Sequence, residues 1–455
     1  MTTLSSDYAA FLQNKTQLGG KSGFAPVFMP AQLKDFQAFL VEWAVRKGRG
    51  LLLEDCGLGK TFQYLVWAQN TVMKTNKRVL VITPLAVSAQ TVAEGEKFGI
   101  DCRRSVDGKN LHDITVTNYE RLHYFDPADF IGVVCDESSA IKNFEGERQK
   151  IVTEFMRHLP YRLLCTATAA PNDYIELGTS AEALGELGRM DMLSMFFKND
   201  ENSNHPIWWG ARWRFKKHAE TDFWRWVCSW SRAVRKPSDI GFDDAEFVLP
   251  ELIVRETVVK NDRPFDGQLF PIAASTLAEQ RAERRVTLTA RCEEVARIMD
   301  HDDFGVMWCH LNAEGDLLEH LVSGAKQISG AMRDEDKEEL FTAFSSGQLK
   351  KLVIKPKIGA FGLNWQHCNQ STTFPSHSFE QYYQTVRRFW RFGQTRPVTM
   401  HIVTTEGELG VKANMQRKAL AAEVMFSKLV ALMNDALKLE RTSIREMPME
   451  LPEWL

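Results

Sequence analysis

The sequence predicts an α/β protein with two parallel-sheet units, on three observations. Short apolar runs bounded by turn residues alternate with longer amphipathic stretches. That rhythm occurs twice, and a tryptophan-rich stretch of different composition separates the two occurrences. A run that is apolar on both faces is a strand buried between helix layers, and strands alternating with helices make a parallel sheet. In the first unit the strands are 51–53, 79–82, 131–135 and 162–165, and in the second they are 304–308, 351–354 and 398–403. The chain divides into an N-terminal segment over 1–27, a first unit over 28–190, a basic Trp-rich insertion over 191–250, a second unit over 251–410 and a C-terminal helix and tail over 411–455. In the last of these, Met425, Leu429, Leu432, Ala436 and Leu439 form one apolar stripe that predicts a helix packed back on the second unit.

A length of 455 residues suits about three domains of ~150 residues each. Lys+Arg 56 against Asp+Glu 59 gives a formal charge of −3, which excludes a globally positive field and leaves room for a local basic groove. The composition, 44% hydrophobic and 25% charged, is that of a globular chain. The opening MTTLSSDYAAFLQNKTQ lacks a signal-peptide pattern, and no stretch reaches the ~18 apolar residues of a membrane span. The eight cysteines include no CxxC pair, so neither a zinc ribbon nor a disulfide framework is expected, and a reducing cytoplasm fits.

Glu54-Asp-Cys-Gly57-Leu-Gly59-Lys60-Thr61 follows the first strand and precedes an amphipathic helix. Glycines let backbone N–H groups converge on phosphate oxygens, a lysine reaches the β/γ-phosphates, and a threonine serves as a Mg²⁺ ligand. Glu54 stands where the usual pattern has glycine. The strand ending Val133-Val134-Cys135 runs into Asp136-Glu137. One carboxylate there suits Mg²⁺ and the next suits polarisation of an attacking water. Thr166-Ala167-Thr168 follows the next strand, with hydroxyls able to tie nucleotide state to domain movement. The second unit supplies Gly359-Ala-Phe-Gly362-Leu363-Asn364 and then Gln384-Thr-Val-Arg387-Arg388-Phe-Trp-Arg391-Phe-Gly393-Gln394. Arg388 and Arg391 share one face of a helix and suit a polyphosphate, and Arg387 reads as a surface residue.

EDCGLGKT, ITPLAV, VTNYERL, CDESSAIKN, CTATAAPND, ISG, KIGAFGLN and QTVRRFWRFGQ stand in the order found in superfamily 2 nucleic-acid-dependent ATPases. The chain resembles the Swi/Snf-like branch of that superfamily over roughly 28–405, and its compact length is similar to that of bacterial or phage-encoded members. Ser138-Ser139 stand where the family commonly has Ala-His, and Thr-Ala-Thr-Ala-Ala-Pro replaces Thr-Gly-Thr-Pro. The resemblance implies two RecA-like lobes, with ATP and Mg²⁺ as cofactors. It implies phosphate binding by Gly57, Gly59, Lys60 and Thr61, metal ligation by Thr61 and Asp136, and water activation by Glu137. Arg388 and Arg391, in a box opened by Gln384, are implied as arginine fingers, Gln37 as the adenine reader and Phe28 as a weaker stacking residue.

Nucleic-acid contacts implied in the same way are Thr83, Pro84, Thr117, Asn118, Lys142, Asn143, His310 and the 355–364 loop with Asn364. The partner expected is duplex or branched DNA, with RNA as the alternative and no membrane. The activity expected is translocation on DNA or its remodelling, with a strand-separating helicase and an ATP-switched clamp as the rival readings. Residues 208–236 carry eight basic residues against Glu220 and Asp222. Basic residues interleaved with aromatics suit backbone neutralisation and base stacking. Phe223, Trp226, Val227, Trp230 and Val234 fall at helical spacing and predict a small helical core, whereas Trp208, Trp209 and Trp213 are assigned to contacts. A protein partner docked through 203–236 is the other use of this stretch.

Overall fold

A computed structural model describes residues 22–168, 174–199, 213–216, 219–260, 283–359, 363–376 and 378–445. Its strands in chain order are β1 (Arg49–Glu54), β2 (Arg78–Thr83), β3 (Cys102–Arg104), β4 (Ile114–Asn118), β5 (Phe130–Asp136), β6 (Tyr161–Thr166), β7 (Phe197–Asn199), β8 (Trp213–Phe215), β9 (Ser231–Val234), β10 (Leu252–Val259), β11 (Gly305–Trp308), β12 (Ala325–Ile328), β13 (Lys351–Ile354), β14 (Gln370–Thr373) and β15 (Val398–Thr405). They form two parallel sheets. The first runs β3-β4-β2-β5-β6-β1-β9 and the second β10-β15-β14-β11-β13-β12, while β7 and β8 pair antiparallel. This is the α/β architecture of two parallel-sheet lobes that the motifs led us to expect.

The reason lies in the burial of both faces. In β11, Val306 and Trp308 enter one apolar cluster, while the intervening Met307 and the following Cys309 enter the cluster on the opposite side of the sheet. Such a strand needs a helix layer above and below, and a parallel sheet with crossover helices supplies it. In the first sheet β1 and β5 flank β6, so the loops leaving their C-terminal ends open side by side. Ligands of open α/β sheets collect at that edge.

The region expected to stand as an insertion is tied into the first lobe. Its strand β9 pairs with β1, and Phe223, Trp224, Val227, Trp230 and Val234 belong to the same apolar core as the first sheet. Of the positions expected to form a small helical core, Phe223, Val227 and Trp230 are buried in the helix Ala219–Trp230 and Trp226 is half-buried beside them, whereas Val234 stands in β9 and the core they enter is that of the first lobe. Trp213, expected to contact nucleic acid, sits instead in β8 opposite Asn199 and packs on that core. Trp208 and Trp209 lie outside the described residues.

The C-terminal helix Leu409–Arg445 corrects a second expectation. It does not pack on the second lobe alone. Met415 joins Val386, Met400 and Ile402 of the second lobe, whereas Met425, Phe426, Leu429, Val430 and Met433 enter the first lobe's core. A helix rises 1.5 Å per residue, so these two groups are far enough apart along it to bridge both lobes. The expected stripe positions Ala436 and Leu439 lie in this helix, but their side chains are not among those described. Leu429 is buried and Leu420 is 67% exposed. Leu429→Ala is therefore expected to cost about 2–5 kcal/mol in denaturant unfolding, and Leu420→Ala less than about 0.5 kcal/mol. Among the described residues no helix is long and apolar enough to cross a membrane.

Candidate active site

The loop between β1 and the helix Lys60–Thr75 turns on Gly57 and Gly59, with φ of 94° and 82°. A side chain is strained at such angles. At Gly57 a Cβ would also stand 3.1 Å from the Phe392 backbone nitrogen of the second lobe. Lys60 Nζ donates to the carbonyls of Glu54 and Asp55 at 2.8 and 2.9 Å, which folds its ammonium into the mouth of the loop. Gln37, expected to read adenine, lines the cleft but has partners at both amide atoms. Its Nε2 donates to Leu58 O at 2.8 Å, and its Oε1 accepts from Lys34 N at 3.0 Å. Phe28 is not part of the cleft lining. It is held by Asn70, whose side chain bonds the Phe28 N–H and carbonyl at 2.9 and 2.7 Å.

Glu54 lies beneath this loop, fully buried, and accepts from Gln63 Nε2 at 2.8 Å. Burial lifts its carboxyl to about 7 against opposing pulls from Lys60 and Gln63. A carboxyl raised on folding stabilises the fold fully below its unfolded value near 4.5 and loses that contribution as pH rises through about 7. Glu54→Gln is thus expected to raise unfolding stability at pH 8 by at most about 3 kcal/mol and to be neutral near pH 4, by denaturant titration at both pH values.

Asp136 and Glu137 end β5 one strand away from the loop. Glu137 holds φ 49° and ψ 51°, a left-handed conformation uncommon for a non-glycine residue; the other such residues described, Asn76 and Asn110, are asparagines, which adopt it more readily. Asp136 Oδ1 accepts from the Glu137 N–H at 3.0 Å, so the turn is fixed by the first carboxylate. Glu137 Oε2 is buried without a hydrogen-bond partner among the described residues. Burial, reinforced by the Glu137 charge, raises Asp136 to about 7, while Lys60 and Arg388 draw it down.

The second lobe closes the cleft. The helix Phe379–Val386 ends before the arginines, so Arg388 and Arg391 stand on the turn beyond it and not on one helical face as expected. They converge all the same. Arg388 donates to Leu363 O at 2.7 Å, and Arg391 to the same carbonyl at 3.3 Å. Burial, with Arg388 alongside, brings the Arg391 guanidinium down to about 10. Gln384 positions its neighbour from outside the lining: its Oε1 accepts from Arg388 at 3.0 Å, and its Nε2 donates to Thr168 Oγ1 of the first lobe at 3.3 Å. Arg387, read from sequence as a surface residue, is buried and ion-paired with Asp55. The sequence signal for it was the acidic residue in the phosphate loop, which has no phosphate role of its own.

One cavity of about 360 Å³ is lined by Gln37, Gly57, Gly59, Lys60, Thr61, Asp136 and Glu137 from the first lobe and by Asn364, Arg388 and Arg391 from the second. Asn364, expected on nucleic acid, therefore faces this cleft. Phe62 and Phe98, stacked with centroids 3.7 Å apart, line it as well, as do Phe247 and Phe392; sequence reasoning missed all four. A nucleoside triphosphate with Mg²⁺ fits these donors. Cations from both lobes face a loop whose glycines bring N–H groups forward, and the acid pair supplies an orphaned buried oxygen.

The residues expected on nucleic acid divide. Pro84 and Asn118 line a second interlobe cavity of about 310 Å³, with Glu137 from the first lobe and Lys337 and Lys357 from the second. Thr83 and Thr117 are absent from that lining; both are buried, as Asn118 is, and Thr83 Oγ1 lies 2.9 Å from Ser88 Oγ. Lys142 is ion-paired with Glu380 across the lobes, and with Asn143 it lines a separate cavity of about 270 Å³. His310 Nε2 donates to Phe374 O at 3.2 Å, and burial lowers its pKa.

No protein-family model matches the chain. Part of it is similar to chromatin-remodelling proteins. It is 24% identical over 176 residues to the SWI/SNF chromatin-remodeling complex subunit snf22 of Schizosaccharomyces pombe, covering 33% of this chain and 10% of that protein. It is 28% identical over 202 residues to the chromatin-remodeling ATPase INO80 of Aspergillus fumigatus, covering 36% and 11%. With Helicase domino of Drosophila melanogaster it shares 26% over 177 residues, covering 33% and 6%. The chain thus matches about a tenth or less of the length of these curated relatives. A solved structure of the Sulfolobus solfataricus SWI2/SNF2 ATPase core in complex with dsDNA shares 17% identity, covers 90% of this chain and 96% of that one, and superposes with a TM-score of 0.41. The sequence similarity lies with SWI/SNF-type ATPases and spans about a third of this chain.

Proposed function

We propose that this chain is a DNA-stimulated ATPase that couples hydrolysis to translocation on duplex DNA or to remodelling of branched or protein-bound DNA. One observation carries the reading. Lys60, Thr61, Asp136 and Glu137 of one sheet and Arg388 and Arg391 of the other line a single cavity, so the site is complete only when the lobes are together. In this reading Lys60 and the loop N–H groups bind the β/γ-phosphates, and Thr61 and Asp136 would hold Mg²⁺. When bound, that ion neutralises charge on the phosphate oxygens. Glu137 accepts the proton of the attacking water, and Arg388 and Arg391 meet the charge that spreads over the transferred group.

Glu137 lines both this cleft and the cavity at Pro84 and Asn118. A strand lodged in the second cavity therefore touches the residue that orients the water, which gives nucleic acid a direct route to stimulation. We keep a first lobe over 28–190 and a second over 251–410, with 191–250 docked on the first through β9. We place the protein in the cytoplasm of a bacterial or phage-infected cell; of this reading the eight free, buried cysteines support the reducing compartment alone.

Steady-state ATPase assays without nucleic acid and then with single-stranded, duplex and forked DNA and with RNA test the proposal. Stimulation by duplex or forked DNA is the expected result, with triplex displacement as the assay for translocation. Stimulation by single strands or RNA alone assigns the motor to strand separation. ATP binding without turnover on any substrate leaves a switch and overturns the ATPase reading.

A further inference from the structure

The pairing of Asp55 with Arg387 joins the phosphate loop of one lobe to the arginine turn of the other, and nothing in the proposed chemistry uses it. Asp55 Oδ1 accepts from the N–H of Cys56 at 2.7 Å, which rigidifies the start of the loop, and from the Tyr383 hydroxyl at 2.5 Å. Its Oδ2 pairs with the Arg387 guanidinium. Arg387 donates in addition to Cys56 O at 3.4 Å, and its guanidinium lies 4.9 Å from the Trp390 ring centroid and 5.9 Å from those of Tyr383 and Phe392. The pair is almost wholly enclosed: Arg387 is 1% exposed and Asp55 9%. Further side-chain bridges between the lobes, among the described residues, lie elsewhere, at Thr168–Gln384, Arg104–Glu338 and Lys142–Glu380. Among the described residues, the side chains that reach the backbone or acids of the loop from the second lobe are thus Tyr383 and Arg387, with Arg388 touching only the Cys56 sulfur at 3.9 Å.

We propose that Asp55 and Arg387 are positioning residues: their ion pair, completed by the Tyr383 hydroxyl, locks the arginine turn onto the phosphate loop and so sets Arg388 against Lys60 and Asp136. Arg387 is bonded to Arg388 through the main chain, and Asp55 is five residues before Lys60, so the pair fixes the two reacting halves of the cleft in register. Its contribution is to register and not to bulk stability. When the lobes part both charges regain water, and a desolvated ion pair gains little over its hydrated parts. An aromatic-framed guanidinium that meets both the Asp55 carboxylate and the Cys56 carbonyl also has a directionality that an ammonium lacks.

This inference rests on the ATPase reading, and two readouts keep the two apart. The variants are Asp55→Asn, Arg387→Met, their combination, Arg387→Lys and Tyr383→Phe. The first readout is DNA-stimulated turnover. The second is the distance distribution between spin labels at the exposed positions Lys74→Cys and Ser346→Cys, one on each lobe, which needs no hydrolysis. Asp55→Asn and Arg387→Met are each expected to lower kcat about 10²-fold, the loss that a misplacement of about 1 Å brings. KM for ATP should stay within about 3-fold, because the phosphate ligands remain. The double variant should be no slower than the worse single one, Arg387→Lys should recover part of the rate, and the label distances should broaden towards a wider cleft. Additive losses, an unchanged kcat, or a slowed enzyme with unchanged distances would overturn the proposal. If the unsubstituted protein hydrolyses no ATP, the ATPase reading fails and the distances alone decide the latch. Should Arg387→Met not fold, Tyr383→Phe deletes a single hydroxyl and carries the same test.

Discussion

Glu137→Gln is expected to bind ATP as the unsubstituted protein does and to turn it over about 10²–10⁴-fold more slowly, the range that a positioned general base supplies. The substitution keeps shape and removes only the charge. The backbone at 137 is already left-handed, and glutamine meets the same strain there as glutamate, so the turn at the end of β5 is preserved. The neighbouring acid gains from the change. Glu137 is, after burial, the largest influence raising Asp136, so its neutralisation lets Asp136 ionise at lower pH and leaves the implied metal ligand competent. Binding of a fluorescent ATP analogue beside kcat on duplex DNA makes the measurement. Unchanged affinity with lost turnover assigns the proton transfer to Glu137. A fall of less than tenfold removes it from that role.

What was legible in the sequence follows from where chemistry and packing point the same way. β1, β2, β5 and β6 are apolar on both faces, and a chain segment with that pattern has few alternatives to a central parallel strand. β14 escaped because it reads Gln-Ser-Thr-Thr. Its hydroxyls are nonetheless buried, and Ser371 Oγ donates to Val306 O at 3.0 Å. A polar strand of that kind is visible only once its acceptor is known. β9 escaped for another reason: Ser231–Val234 is four residues long and follows a helix whose apolar period runs straight into it.

The phosphate loop, the acid pair and Arg388 were legible because the expected chemistry calls for those residue types in fixed motifs, and the structure brings them to one cavity. Arg387 was not, because sequence spacing ranks neighbouring arginines only by helical face, and the helix ends at Val386. Which lobe the C-terminal helix would join was equally hidden. Its stripe shows that one face is buried, but the Met425–Met433 half and the Met415 half reach different partners with the same residue types.

Arg388→Ala is expected to lower kcat by about 10³-fold or more while ATP affinity changes little, since an arginine finger meets charge that exists only in the transition state. The structure adds a complication that the choice of variants must resolve. Arg388 is 1% exposed and donates to Leu363 O, Gln384 O and Gln384 Oε1, so alanine also strands the two Gln384 acceptors, leaves Leu363 O to Arg391 alone and loosens the turn that carries Arg391. A stranded buried acceptor costs roughly 1–3 kcal/mol, enough to lower the unfolding midpoint without touching chemistry. Arg388→Lys separates the two effects. An ammonium still satisfies one or two of those carbonyls and keeps the turn in place, but it cannot present two parallel N–H bonds to a phosphoryl group. Alanine and lysine variants that lose rate alike, with only alanine losing stability, assign the rate to the guanidinium itself. A lysine variant close to full rate would mean that Arg388 acts through the turn, and the transition-state charge would then fall to Arg391, whose Nε is buried without a partner among the described residues and which lines the same cavity.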